Sequence, residues 1–274
     1  MQKITGAAQE ITLHHLDKRL PVPRTSDEIE KLSITLNQMI SRLDRSYQMS
    51  SRFTADASHE LRTPLTIMRG ELEMLLLDQT LSAGVAEIIG SLFEETERLS
   101  KIVEGLLALS RLDTGEAQMR RVKFDLSELA ATTASQMCLL AEEKEIKMTC
   151  DTNDLVEVQG DPSKMKQVLV NLLDNAIKYT PDGGTIRLSA AVHGGRARLE
   201  VADTGPGIPE AALRHVFERF YRTDEVRSRE VEGTGLGLSI VQSICHAHGG
   251  IITAENRQSG GCCFTVEMPL AGNS

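Results

Sequence analysis

Tryptophan is absent from this chain, and aromatic residues of all kinds make up 3% of its 274 residues. That scarcity suits helical bundles cored by Leu, Ile and Met. No run of 18 apolar residues occurs, so nothing in the sequence as given has the pattern of a membrane-spanning helix. No signal peptide is visible, because Met1-Gln2-Lys3-Ile4 leads straight into an amphipathic pattern. The five cysteines (Cys138, Cys150, Cys245, Cys262, Cys263) form no C-x-x-C pair, and an odd number cannot all pair within one chain. They read as small hydrophobes of a reducing compartment. Cys262 and Cys263 are adjacent on an expected strand and leave it on opposite faces, which argues against a shared metal site. Net charge is −9 with 25% charged residues, and an acidic balance argues against broad nucleic-acid binding. Low-complexity tracts and internal repeats are also lacking.

What is present first is a long heptad pattern. Seam positions run Ile29, Leu32, Leu36, Met39 and Leu43, then Ser50, Phe53, Ala57, Leu61, Leu65, Met68, Leu72 and Leu75. Inside it lies Ala57-Ser58-His59-Glu60-Leu61-Arg62-Thr63-Pro64-Leu65-Thr66. His59 is roughly 200° round the helix from both Ala57 and Leu61, so it faces water. Thr63 lies one turn further on, on the same face. Pro64 cannot donate to the Glu60 carbonyl and crowds it, so a kink is expected there. The seam spacing changes here to 53, 57, 61, 65, a run that loosens a coiled coil. A lone exposed histidine on such a helix is ordinarily just solvated; a second set of motifs, far along the chain, changes that weighting.

Residues 4–16 carry the spacing of a short helix without a capping residue, as expected of a chain cut from something longer. Pro21 and Pro23 require the segment Leu20–Thr25 to be extended. Ser26 or Asp27 then caps the long helix, with Asp27, Glu28 and Glu30 in its positively polarised first turn. That helix is expected to reach about Leu77, followed by a turn over Asp78–Ser82 and a second helix to about Leu112. On the second helix Val85, Ile88, Leu92, Leu99, Ile102, Leu106 and Leu109 form one stripe. Two antiparallel helices of this kind expose too much Leu and Ile to stand alone, and a symmetric dimer closing a four-helix bundle would bury them. The competing expectation is that another domain of the same chain covers the stripe.

From Val122 the pattern changes to α/β. Strands are expected at Val122–Leu126, Ile146–Cys150, Leu155–Val158, Thr185–Val192, Arg196–Asp203, Ile251–Glu255 and Cys263–Met268, and helices at Ser127–Lys144, Asp161–Tyr179 and Leu236–Ala247. Strands grouped as hairpins between helices predict one mixed sheet with helices on one face, not a doubly wound sheet.

Four patches in this half carry chemistry. Asn171, Asn175 and Lys178 share one helix face at i, i+4, i+7, opposite a Leu/Ile face. Two amides and an ammonium suit a metal ion carrying phosphates, and Mg²⁺ favours hard oxygen ligands such as an Asn carbonyl; a solvated face is the competing reading. Asp203-Thr204-Gly205-Pro206-Gly207-Ile208 follows a strand, where a carboxylate can accept from an exocyclic amine and glycines let backbone approach a flat base. Taken alone, that pattern is a common turn. Phe217-Glu218-Arg219-Phe220-Tyr221-Arg222 opens a polar stretch through Val231 that reads as a lid, with Arg222 placed to reach a terminal phosphate; a solvated charged loop is the alternative. Gly233-Thr234-Gly235-Leu236-Gly237-Leu238-Ser239 opens a helix with alternate glycines and so offers N–H groups to phosphate. It has no βαβ context and no Gly-Lys-Ser/Thr, so neither a Rossmann nor a P-loop site fits.

In these residues the chain resembles the cytoplasmic part of a sensor histidine kinase of two-component signalling, essentially end to end. His59 to Pro64 match the H box, Asn171 to Lys178 the N box, Asp203 to Gly207 the G1 box, Phe217 to Phe220 the F box and Gly233 to Gly237 the G2 box. Pro21, the Asp27-Glu28-Ile29 turn and Leu36-Asn37-Gln38-Met39 are similar to a HAMP linker, without the proline that usually opens its first helix. The resemblance implies a HAMP-like linker over 1–45, a dimerisation and histidine-phosphotransfer hairpin over 46–115, and an α/β-sandwich (Bergerat-type) ATP-binding domain over 116–274. It implies His59 as phosphoacceptor, Glu60 holding the other ring N–H, Asn175 on Mg²⁺ with Asn171 in support, and Lys178 and Arg222 neutralising phosphate charge. Asp203 would read adenine N6, with Tyr179, Ile208 and Leu236 near base or ribose, and Gly205, Gly207, Gly233, Thr234, Gly235 and Gly237 shaping the rest of the ATP site. Thr63 stands where the family places a hydroxyl that orients water for dephosphorylating the regulator. The implied partners are a second copy of the chain and a response-regulator receiver domain in trans, with the membrane reached only through an upstream segment of an inner-membrane receptor. A non-catalytic nucleotide-binding adaptor is argued against by intact Asn175, His59 and Glu60. A gyrase-, Hsp90- or MutL-like ATPase lacks the His-bearing helix pair.

Overall fold

A computed structural model describes residues 19–23, 28–78, 81–114, 119–152, 154–223 and 233–272. The expected helix over 4–16, the caps Ser26 and Asp27, and nearly all of the polar stretch toward Val231 lie outside the described residues.

Helix α1, Glu28–Leu76, is 49 residues long and runs unbroken through Pro64; α2, Ala83–Asp113, returns beside it. Their shared face mixes small hydroxyl residues with β-branched ones. Ser51 and Ser58 on α1 are buried, as are Ile89, Thr96, Val103 and Ser110 on α2. Ser51 Oγ lies 3.0 Å from Ser110 Oγ, and each hydroxyl also donates to the other residue's carbonyl. Hydroxyls this short let the two backbones approach closely without leaving polar atoms unpaired.

The heptad seam read from the sequence divides between two faces. Phe53 is 75% exposed, Leu61, Met68 and Leu75 are exposed beside α2, and Leu32, Met39 and Leu43 are exposed upstream of the stretch that α2 covers. On α2 the stripe splits as well: Val85, Ile88, Leu92 and Leu99 are exposed, whereas Leu109 is buried, with Ile102 and Leu106 packed beside it, in the core of the α/β half. The expectation that a partner chain covers the whole stripe is therefore corrected for its lower end, which the same chain covers. Upstream, Asn37 clamps the extended connector: it accepts from Leu20 N at 2.8 Å and donates to Leu20 O at 3.0 Å.

The α/β half contains β1 (Val122–Asp125), α3 (Leu126–Glu142), β2 (Lys147–Asp151), β3 (Glu157–Gly160), α4 (Pro162–Tyr179), β4 (Thr185–His193), β5 (Arg196–Asp203), the short α5 (Glu210–Leu213), α6 (Gly237–Ala247), β6 (Ile251–Asn256) and β7 (Cys262–Pro269). The main sheet has the order β2-β4-β5-β7-β6, with β2 and β4 parallel and the other pairs antiparallel. The expectation of a single sheet is corrected: β1 and β3 form a separate two-stranded ribbon. The reason is Asp125, whose Oδ1 takes both Ser127 N at 2.9 Å and Val156 N at 3.2 Å, so β1 turns straight into α3 instead of extending along the sheet. Helices α3, α4 and α6 cover one face, and Leu126, Met165, Leu169, Leu172, Ile186, Leu199 and Ile244 are fully buried between the layers. Helix α4 is tightly specified at both ends. Asp161 accepts from Ser163 N and Lys164 N at its start, with Pro162 in the first turn. At its end Lys144 Nζ donates to the carbonyls of Ile177, Lys178 and Thr180 at 2.8, 3.3 and 2.9 Å, a cation set on the negative pole of the helix.

Candidate functional site

Along α4, Leu172, Leu173, Ala176 and Ile177 face the core, which turns Asn171, Asp174, Asn175 and Lys178 outward as a half-buried stripe. That stripe forms one wall of a cavity of about 1120 Å³. Tyr179, Asp203, Gly207, Ile208, Arg222 and every residue from Gly233 to Gly237 line the same cavity, so the four patches read from the sequence converge. Gly205 stands behind the wall: its N–H donates to Asp203 Oδ1 at 2.8 Å, and a Cβ there would meet the Tyr179 carbonyl at 2.9 Å. Phe217 turns into the core, edge-on to Phe264 with centroids 6.4 Å apart.

Asp203 ends β5 at the floor of the cavity. Burial pushes its carboxyl above the usual carboxylate range, while N–H donors from Gly205 and Cys262 and the charge of Arg257 pull the other way. Both N–H groups bond Oδ1, at 2.8 and 3.2 Å, which leaves Oδ2 to accept from a ligand. The start of β7 presses on this residue so closely that a Cβ at Gly261, φ +85°, would lie 2.0 Å from the Asp203 carbonyl oxygen. Across the cavity, Gly235 and Phe220 are back to back. Phe220 N donates to Gly235 O at 2.9 Å, and both residues have positive φ, +61° at Phe220 and +71° at Gly235. Arg222 Nη1 donates to Gly233 O at 3.1 Å, which ties the arginine to the glycine loop. Burial raises the Tyr179 phenol, opposed by the charges of Arg222 and Lys178.

Lys178 is ion-paired with Asp174 one turn back, a partner that the sequence reading passed over although i, i+4 spacing signals it. The Asn175 amide faces the cavity and has no hydrogen-bond partner among the described residues. A free amide oxygen on this wall fits the preference of Mg²⁺ for hard oxygen ligands. Among the described residues no cluster of three or more His, Cys, Asp or Glu forms a metal cage.

Helix α2 supplies an unforeseen wall to the cavity through Leu92, Glu94, Glu95, Arg98, Lys101 and Gly105. Gly105 makes the approach possible, since a Cβ there would sit 2.9 Å from Leu236 Cδ1. His59, by contrast, is exposed on α1 and is not part of the cavity wall. Its Nε2 lies 3.0 Å from Arg111 Nη2 across the hairpin, and among the described residues Glu60 makes no hydrogen bond to the ring. Thr63 is exposed on the next turn.

Comparison with known proteins follows the same three-part order. Residues 1–45 match the HAMP domain, 49–115 the His Kinase A (phospho-acceptor) domain, and 160–272 the Histidine kinase-, DNA gyrase B-, and HSP90-like ATPase family. The signal transduction histidine-protein kinase BaeS of Escherichia coli K12 is 38% identical over 248 residues, covering 90% of this chain and 53% of BaeS. Full-length ShkA in complex with AMPPNP superposes with a TM-score of 0.68 at 33% identity, covering 80% of this chain and 46% of ShkA. The histidine kinase ThkA in complex with the response regulator protein TrrA superposes at 0.55 with 30% identity, covering 80% of this chain and 61% of that chain. This chain thus spans about half the length of BaeS (53%), and no helix among the described residues is long and apolar enough to cross a membrane. The ordered domains, the mixed sheet with its single cavity-lining set of Asn and Gly motifs, and the identity to curated relatives agree: the chain belongs to the sensor histidine kinases of two-component signalling.

Proposed function

We propose that this chain is the cytoplasmic, catalytic part of a dimeric receptor that takes the γ-phosphoryl group of ATP onto His59 and hands it to an aspartate of a response regulator. The observation that carries this reading is the convergence of Asn171, Asn175, Asp203, Arg222 and Gly233–Gly237 on one cavity, in a chain whose His59 is exposed on a paired helix. ShkA with AMPPNP and ThkA with TrrA are the precedents for nucleotide and partner. The domain limits that go with it are 1–45, 46–115 and 116–274.

Adenine enters between Tyr179, Ile208 and Leu236, with Asp203 Oδ2 accepting from its exocyclic amine. The phosphates lie against the Gly233–Gly237 amides at the start of α6, where Thr234 flanks them and Lys178 and Arg222 offset their charge. Asn175 would give one oxygen to Mg²⁺, supported by Asn171, and the ion would supply positive charge against the phosphates. His59 Nε2 then attacks the γ-phosphorus. An N–P bond forms as the bond to the bridging oxygen breaks, ADP leaves with that electron pair, and the Nδ1 proton passes to Glu60, which orients the ring. Because the cavity faces α2 and excludes His59, transfer requires the ATP-binding domain to move along the bundle. Thr63 serves the opposite reaction by orienting the water that dephosphorylates the regulator. The exposed faces of Phe53, Leu61 and Met68 on α1 and Ile88 on α2 meet a second copy of the chain.

The test is incubation of wild type, His59→Gln and Asn175→Ala with [γ-³²P]ATP, followed by transfer to candidate regulators. Acid-labile, base-stable label in the wild type alone is expected. Free phosphate without labelled His59 would overturn the reading in favour of an ATPase.

A further inference from the structure

Arg111 occupies the last turn of α2, opposite His59, and its guanidinium has one side-chain partner among the described residues, the His59 Nε2 at 3.0 Å. Arginine is a donor only and stays charged at any working pH, so the nitrogen it meets must present a lone pair. The ring proton is thereby confined to Nδ1. No carboxylate ion-pairs with this guanidinium among the described residues, so the cation stands unneutralised beside the one imidazole nitrogen that would carry a phosphoryl group. A neutral nitrogen makes a weak partner for it; a phosphoryl oxygen makes a strong one.

We infer that Arg111 is a positioning residue for His59: it sets the Nδ1–H tautomer that leaves Nε2 nucleophilic, and once Nε2 is phosphorylated it pairs with the phosphoryl oxygens and shields them from water. In the resting chain the same contact covers the Nε2 lone pair, so Arg111 must swing aside before attack and returns afterwards to the product. The second half of this inference rests on the kinase reading; the first half does not.

The test uses this 274-residue chain and the variants Arg111→Ala and Arg111→Lys. Position 111 is exposed, so neither variant disturbs the core. Long-range ¹H–¹⁵N spectra of ¹⁵N-histidine-labelled protein, with His59→Gln assigning the signal, report the tautomer without nucleotide. Wild type is expected to hold Nδ1–H, Arg111→Ala to give a mixture, and Arg111→Lys to fall between. After labelling with [γ-³²P]ATP and removal of ATP, the phosphohistidine of Arg111→Ala should hydrolyse about 10-fold faster, with KM for ATP unchanged because Arg111 is not in the cavity wall. An unchanged tautomer in Arg111→Ala overturns the tautomer role, and an unchanged lifetime overturns the shielding role. A wild type that takes no label on His59 defeats the kinase reading, together with the shielding role built on it, and leaves the tautomer measurement to decide the rest.

Discussion

Arg219, on the loop that leads to the glycine motif, ion-pairs with Asp113 at the end of α2, where the Asp113 side chain is only 4% exposed. Tyr47 of α1 lies against both, its phenol raised by burial and by the charge of Asp113, with Arg219 opposing. The loop of the ATP-binding domain is thus tied to both helices of the hairpin through one buried carboxylate, a contact that the proposed domain movement must break.

Replacing Arg219 with Ala leaves Asp113 buried without its cation. Because the Arg219 side chain is 41% exposed, screening reduces the contribution to about 1–1.5 kcal/mol. Release of the domain by that amount should raise autophosphorylation about 10-fold at constant KM for ATP. A wild-type rate in Arg219→Ala would dismiss this contact as a restraint.

Asp203→Asn keeps an oxygen for the Gly205 and Cys262 amides but turns an NH₂ toward the ligand, donor against donor. A weakening of nucleotide binding by about 2 kcal/mol, on the order of 30-fold, is expected by calorimetry with AMPPNP. Unaltered affinity would mean that the base sits elsewhere.

His248 is buried, accepts from Asp161 N at its Nε2 (2.9 Å) and donates from Nδ1 to Ile244 O (2.8 Å). Burial holds its pKa below the usual value, with Arg121 acting in the same direction and the Ile244 bond and Asp161 opposing. A lowered folded pKa gives stability that is complete above the unfolded value near ~6.5 and is lost as pH falls through it. Thermal unfolding should therefore soften between pH 7.5 and 5, by at most about 1.4 kcal/mol per pH unit from this group. In His248→Gln that part of the slope should vanish; an equal slope would assign it to other groups.

Phe53→Glu with Leu61→Glu charges the outward face of α1. Buried in the proposed dimer, each side chain would contribute about 1.5–3 kcal/mol, once per chain, so the dissociation constant should rise by about 10⁴-fold or more. Light scattering that still reports a dimer at micromolar concentration would move the interface to another face.

Pro64 removes one hydrogen bond from the middle of α1 yet leaves the helix continuous. Pro64→Ala should stiffen that turn and shift the ratio of autophosphorylation to regulator dephosphorylation. Identical ratios in the two proteins would sink this role for Pro64.

The site was legible wherever a motif is local. The α4 stripe follows from i, i+4, i+7 spacing, and its cap from Asp161-Pro162. Contacts across the chain were not. Nothing in the pattern links Lys144 to the end of α4, Gly261 to Asp203, or Arg111 to His59, because each pair is brought together by the packing of separate elements. The heptad reading found the apolar residues of α1 but not that Ser51 and Ser58 are buried toward α2 while Phe53, Leu61 and Met68 stand exposed. Periodicity counts apolar positions and is blind to side-chain volume. The β1–β3 ribbon escaped for a related reason, since strand propensity carries no record of which sheet a strand joins.

One consequence of the unbroken α1 remains. Asn37, which grips the connector, and His59 stand on one rod, roughly 33 Å apart along its axis and within roughly 40° of the same compass bearing. With no loop between them to absorb torque, a roll imposed at the connector turns the imidazole by nearly the same angle. A rotation applied at one end of this rod is carried to the other as an orientation, in the manner of a crankshaft.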